Sequence, residues 1–113
     1  MLAKTITVGY GRVNKVKIGG TEPLAFIGGP CAIESRDHAL MMVDRIGEIC
    51  QKLDVPWIYK SCYDKDCRSS PESFHGIGLE EGMRILEDVR NASDTPVVSD
   101  FAHADDAPIL GEV

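Results

Sequence analysis

Three short apolar runs, Leu24-Ala25-Phe26-Ile27, Trp57-Ile58-Tyr59 and Pro96-Val97-Val98, are separated by stretches whose apolar residues recur at helical spacing. No other feature narrows the fold so far, because strands that alternate with helices are joined by right-handed crossovers and lie parallel in one sheet. The first run stops at Gly28-Gly29-Pro30 and reads as a strand buried on both faces. After it, Ala39, Met42, Val43, Ile46, Ile49, Cys50 and Leu53 share one face of a helix capped by Ser35 or Asp37. Leu79, Met83, Leu86 and Val89 mark a second helix ending near Asn91, with Glu80, Glu81, Glu87 and Asp88 on its wetter side. Pro96-Val97-Val98 reads as a third buried strand, and Ala104 to Val113 opens a third helix with Pro108 near its start.

Ahead of the first run, Thr5 to Tyr10 alternates polar and bulky residues, and Val16-Lys17-Ile18 resumes the alternation, which predicts a β-hairpin. A chain of 113 residues has room for one domain. Its expected division is a hairpin over 1–20 and βα units over 21–113. Open doubly wound sheets and closed eight-stranded barrels both use such units, and both place their chemistry at the carboxyl ends of the strands.

That rule singles out Gly29-Pro30-Cys31 with Glu34-Ser35, the stretch from Lys60 to Ser70, and Asp100 to His103. The middle stretch gathers Lys60, Lys65 and Arg68, with the hydroxyls of Ser69 and Ser70, in a chain whose net charge is −6. Arg offers a planar fork to carboxylate or phosphate and Lys a point charge, so the cluster suits a small molecule bearing both groups. The plainer reading pairs Lys60 and Lys65 with Asp64 and Asp66 on a solvated loop. Cys31 is either a metal-binding or nucleophilic thiol or an inert buried one. Cys50 belongs to the helix core, and Cys62 and Cys67 are packing residues beside the cationic loop. His38 and His75 read as surface or structural histidines. His103 is better placed for chemistry, and Asp100 is the stronger candidate on that rim. Gly76 and Gly78 either present N–H groups to an anion or end a loop in an unusual backbone conformation.

The acidic balance, Lys+Arg 12 against Asp+Glu 18, argues against a nucleic-acid or membrane-surface binder. No apolar stretch approaches the roughly 18 residues of a membrane span, and Met1 to Thr7 has no secretory h-region. Four cysteines without a Cys-x-x-Cys pair suit a reduced compartment, so a cytoplasmic protein is expected.

Taken together, Gly28 to Ser35, Tyr59 to Ser70, Gly76 to Gly82 and Pro96 to Asp100 resemble the 3-deoxy-D-manno-octulosonate 8-phosphate synthases. The resemblance implies a (β/α)8 barrel that condenses phosphoenolpyruvate with arabinose 5-phosphate on the route to lipopolysaccharide. This chain would hold the hairpin and the first three βα units of such a barrel, a truncated form, since a whole barrel takes about 250 residues. By the same resemblance, Lys60, Lys65 and Asp100 are catalytic, and Lys60, Lys65, Arg68 and Ser69 hold the substrate's carboxylate and phosphate. Cys31 matches the cysteine ligand of the metal-dependent branch, which implies a divalent metal ion. The full-length family implies a homo-oligomer.

The chain departs from the family pattern at Asp66, Cys67, His75, Ile77 and Phe101-Ala102-His103. The sibling that makes a seven-carbon product is disfavoured, because its Lys-Pro-Arg-Thr or Lys-Pro-Arg-Ser signature is absent. A rival of another class is a non-catalytic anion-binding or assembly module. One metal ligand and half a substrate cradle cannot preorganise a transition state, so the chain alone is expected not to turn over.

Overall fold

A computed structural model of the chain describes residues 3–64 and 76–113. Strands β1 (Ile6–Val8) and β2 (Val16–Ile18) pair antiparallel, with Ile6 opposite Ile18, and form the expected hairpin. Strands β3 (Phe26–Gly28), β4 (Trp57–Lys60) and β5 (Val97–Val98) form a separate parallel sheet in the order β3-β4-β5. Helices α1 (Arg36–Lys52) and α2 (Leu79–Ser93) are the crossovers between them, giving the mixed α/β order that the alternation predicts.

The cap of α1 is Ser35, whose hydroxyl accepts from the His38 amide at 3.1 Å and so satisfies one of the helix's orphan donors. From α1, Ala39, Val43 and Cys50 are buried. Ile49 and Leu53, expected on the same face, are 57% and 67% exposed, because the stripe is wider than the surface β4 and α2 offer it. The second helix runs two residues beyond Asn91, to Ser93, and stops where Asp94 takes a left-handed conformation. Ile85, Leu86 and Val89 of α2 are fully buried in the core between the helices and the sheet, each contributing about 1.5–3 kcal/mol.

As the middle strand, β4 is the core of the sheet. Trp57 and Tyr59 project into the helix layer and meet edge to face, their centroids 6.0 Å apart, and Trp57 Nε1 donates to the Gly28 carbonyl at 3.2 Å. The flanking strands correct the reading of the first run as buried on both faces and of the third as a buried strand. β3 begins at Phe26 rather than Leu24, Leu24 is 93% exposed, and Phe26, Ile27 and Val98 are also exposed. β3 and β5 are sheet edges with a neighbour on one side only among the described residues. The third helix is also shorter than expected. A 3-10 turn over Ala104–Asp106 leads into α3 (Ala107–Leu110), with Pro108 in its first turn, where the missing N–H costs nothing.

The hairpin lies at the amino ends of the sheet strands. The Asn14 amide donates to the Asp94 carbonyl at 2.8 Å, and a Cβ at Gly9 would press on the Pro96 ring. Tyr10 donates to the Glu112 carbonyl at 2.5 Å, and Arg90 lies over its ring and donates to the Val113 carbonyl. Among the described residues, no helix is long and apolar enough to cross a membrane.

Candidate functional site: the carboxyl rim of the sheet

Parallel strands put their carboxyl ends on one rim, and here that rim collects Cys31, Lys60, Cys62 and Asp100. The approach of β3 to β4 continues past both strands. Ala32 bridges Cys62, the Cys62 amide donates to the Cys31 carbonyl at 3.2 Å, and the Ile33 amide donates to the Cys62 carbonyl at 3.0 Å. The Ser61 hydroxyl, itself buried, donates to the Pro30 carbonyl at 2.7 Å. Gly29 is required here, because a Cβ at that position would run into the Lys60 carbonyl. Cys31 is thereby held on the same end of the sheet as Lys60.

β5 brings the third group. Lys60 Nζ lies 3.1 Å from Asp100 Oδ1, and the Cys62 thiol donates to Asp100 Oδ2 at 3.5 Å. The Lys60 and Asp100 side chains are 40% and 64% exposed, so their pairing is worth at most about 1 kcal/mol. An incoming anion can therefore displace it. Tyr63, 2% exposed, lies behind this pair. Its hydroxyl donates to Asp106 Oδ2 at 2.5 Å and accepts from the Ala102 amide at 2.7 Å. Burial first, and then the Asp106 carboxylate, raise the Tyr63 phenol above its ordinary value.

The remaining candidates divide sharply. Lys65, Arg68, Ser69, Ser70, Asp66, Cys67 and His75 lie outside the described residues. His103 is exposed, and His38 sits with Nδ1 3.6 Å from Glu34, on the helix rather than the rim. Cys50 is core, and burial raises its thiol pKa, which disfavours the reactive thiolate. Gly76 and Gly78 have φ of +136° and +94°, the unusual backbone conformation that is one of the two readings of them. Among the described residues, no three His, Cys, Asp or Glu side chains converge as a metal site would require. A cavity of about 1020 Å³ lies at the opposite end, beside the hairpin and the amino ends of β4 and β5, away from this chemistry.

Sequence reasoning missed Tyr63 and the contact of Cys62 with Asp100. Ser61 and Tyr63 continue the two-residue alternation of Trp57 and Tyr59, and that phase was the available signal for Tyr63.

A parallel βα sheet with lysine, carboxylate and thiol gathered on its carboxyl rim defines an α/β protein whose polar groups converge at one end of the sheet. Residues 4–113 match the model of the DAHP synthetase I family, and the chain belongs to that family. It is 39% identical over 102 residues to a 2-dehydro-3-deoxyphosphooctonate aldolase of Rickettsia rickettsii (strain Sheila Smith), covering 90% of this chain and 37% of the relative. A protein of the same name from Acidithiobacillus ferrooxidans (strain ATCC 53993 / BNL-5-31) is 46% identical over 102 residues, 90% of this chain and 36% of the relative. Another, from Cyanothece sp. (strain PCC 7425 / ATCC 29141), is 43% identical over 98 residues, 87% of this chain and 36% of the relative. The chain thus spans little more than a third of the length of these relatives, and the recognition made from its motifs holds.

Proposed function

We propose that this chain forms the phosphoenolpyruvate-binding rim of a 3-deoxy-8-phosphooctulonate synthase. That enzyme joins phosphoenolpyruvate to arabinose 5-phosphate and releases phosphate. The carrying observation is the meeting of Lys60 and Asp100 across β4 and β5, on the same rim as Cys31. Each of these residues lies in a motif that resembles the family's, and the relatives' name favours the octulosonate product over the seven-carbon one.

In this reading the enol carbon of phosphoenolpyruvate attacks the sugar aldehyde, water adds at the neighbouring carbon, and the hemiketal phosphate collapses to release phosphate. Lys60 exchanges its weak pairing with Asp100 for the substrate's carboxylate or phosphate, and the Asp100 carboxylate, still held by the Cys62 thiol, faces the reacting groups. Lys65, Arg68 and Ser69 complete the anion cradle. Cys31 is the chain's candidate ligand for a divalent metal. One thiol is a single donor of the three or four such an ion takes, so the described residues do not make a metal site and no step is assigned to one. The single partial domain, the homo-oligomer and the (β/α)8 barrel belong to the same proposal.

Calorimetric titration of the chain with phosphoenolpyruvate tests it. Binding should weaken about tenfold or more in Lys60→Ala, as expected for loss of a charge-assisted contact. Equal heats for parent and variant would remove Lys60 from the site. An assay with both substrates and a divalent metal should show no turnover by the 113-residue chain. Binding without turnover is also what the anion-binding module predicts, whereas turnover excludes it.

A further inference from the structure

We propose that Cys62 and Tyr63 are positioning residues: side by side after β4, they hold the segment that follows β5 at both its ends and so fix Asp100 against Lys60. Asp100 meets a different donor at each carboxylate oxygen, Lys60 Nζ at Oδ1 and the Cys62 thiol at Oδ2. Two donors from one strand end set the carboxylate's plane as well as its distance. Cys62 is 1% exposed and is fixed by the bridge to Ala32, so its thiol is a rigid reference rather than a mobile partner.

Tyr63 holds the other end. Its hydroxyl uses its donor on Asp106 and accepts from Ala102, so both of these bonds go to the segment that carries Asp100. The ring is itself immobilised. Gly82 leaves room for the Tyr63 Cβ, the Gly78 amide donates to the Tyr63 carbonyl at 3.1 Å, and Gly76 passes against that carbonyl with no side chain. Between the exposed Phe101 and His103, Ala102 packs partly buried against the core, so the Tyr63 bond acts at the one point where this stretch turns inward. Cys62 and Tyr63 thus act on Asp100 and the residues after it from the neighbouring strand's loop.

The importance of Asp100 for substrate rests on the function proposed above, but its placement by Cys62 and Tyr63 does not. The test is carbon-13 NMR of the Asp100 and Asp106 carboxylates, with hydrogen exchange at the Ala102 amide, on the full 113-residue chain. In Tyr63→Phe, exchange at Ala102 should rise about tenfold, as loss of one hydrogen bond predicts, and both carboxylate resonances should move. Cys62→Ala should move the Asp100 resonance, and Cys62→Ser, which keeps a donor, should restore it. Should Tyr63→Phe fail to fold, the Cys62 pair of variants decides the matter alone. A variant that melts earlier while its Asp100 resonance overlays the parent's overturns the proposal. If the parent binds no phosphoenolpyruvate, the functional reading fails, and the carboxylate resonances still decide the positioning.

Discussion

Tyr59 carries its hydroxyl into a fully buried position where it has no hydrogen-bond partner among the described residues. Burial, partly offset by the nearby Ser61 hydroxyl, pushes its phenol from 10.0 up to about 12. The unfolded chain releases this proton near pH 10 and the folded chain holds it to about 12, so stability is complete below 10 and falls between 10 and 12. Denaturant melts across that window should show about 2 kcal/mol less alkaline loss in Tyr59→Phe than in the parent. At neutral pH the two should agree within about 1 kcal/mol, since the lost hydroxyl had no partner to leave stranded. Residue type and strand-end position made the shared rim of Lys60, Asp100 and Cys31 legible in the sequence. The alternation signalled that Tyr63 is buried but not what it bonds, because its partners Ala102 and Asp106 lie 39 and 43 residues away and no local pattern announces such a pair.

At the scale of elements, the helices were read more accurately than the strands. A helix carries its own hydrogen bonds and caps, so Ser35 before a three-and-four periodicity was enough to place α1. Ser35→Ala should cost about 1 kcal/mol in a urea melt, and Ser35→Asp, which keeps a side-chain acceptor, should recover most of it. Strands depend on neighbours. Leu24 to Ile27 is apolar enough to be covered on both faces, yet apolarity states what a strand can bury, not what lies beside it. The same limit explains Val98 and the overestimate of α3, whose four residues are set by Pro108 at the start and Gly111 at the end.

Across the whole molecule, the helix side of the sheet is packed while Leu24, Phe26, Ile27 and Phe101 remain in contact with water. Exposed edges with apolar side chains pair with one another. Sedimentation velocity should show concentration-dependent association of the parent chain, and Ile27→Lys should reduce it without altering the rim; a parent that stays monomeric at high concentration would refute this. The hairpin has a different bearing on function. It grips Asp94 and Pro96 immediately before β5, and that strand is two residues long, so only about 13 Å of extended backbone separates Pro96 from Asp100. Gly9 has φ +103° and lies against Val13 and Pro96, so Gly9→Ala should push on the near end of that short rod and shift the Asp100 carbon-13 resonance at the far end. A lever with so little length has no slack, and damage at the foot of the molecule would be felt where the ligand sits.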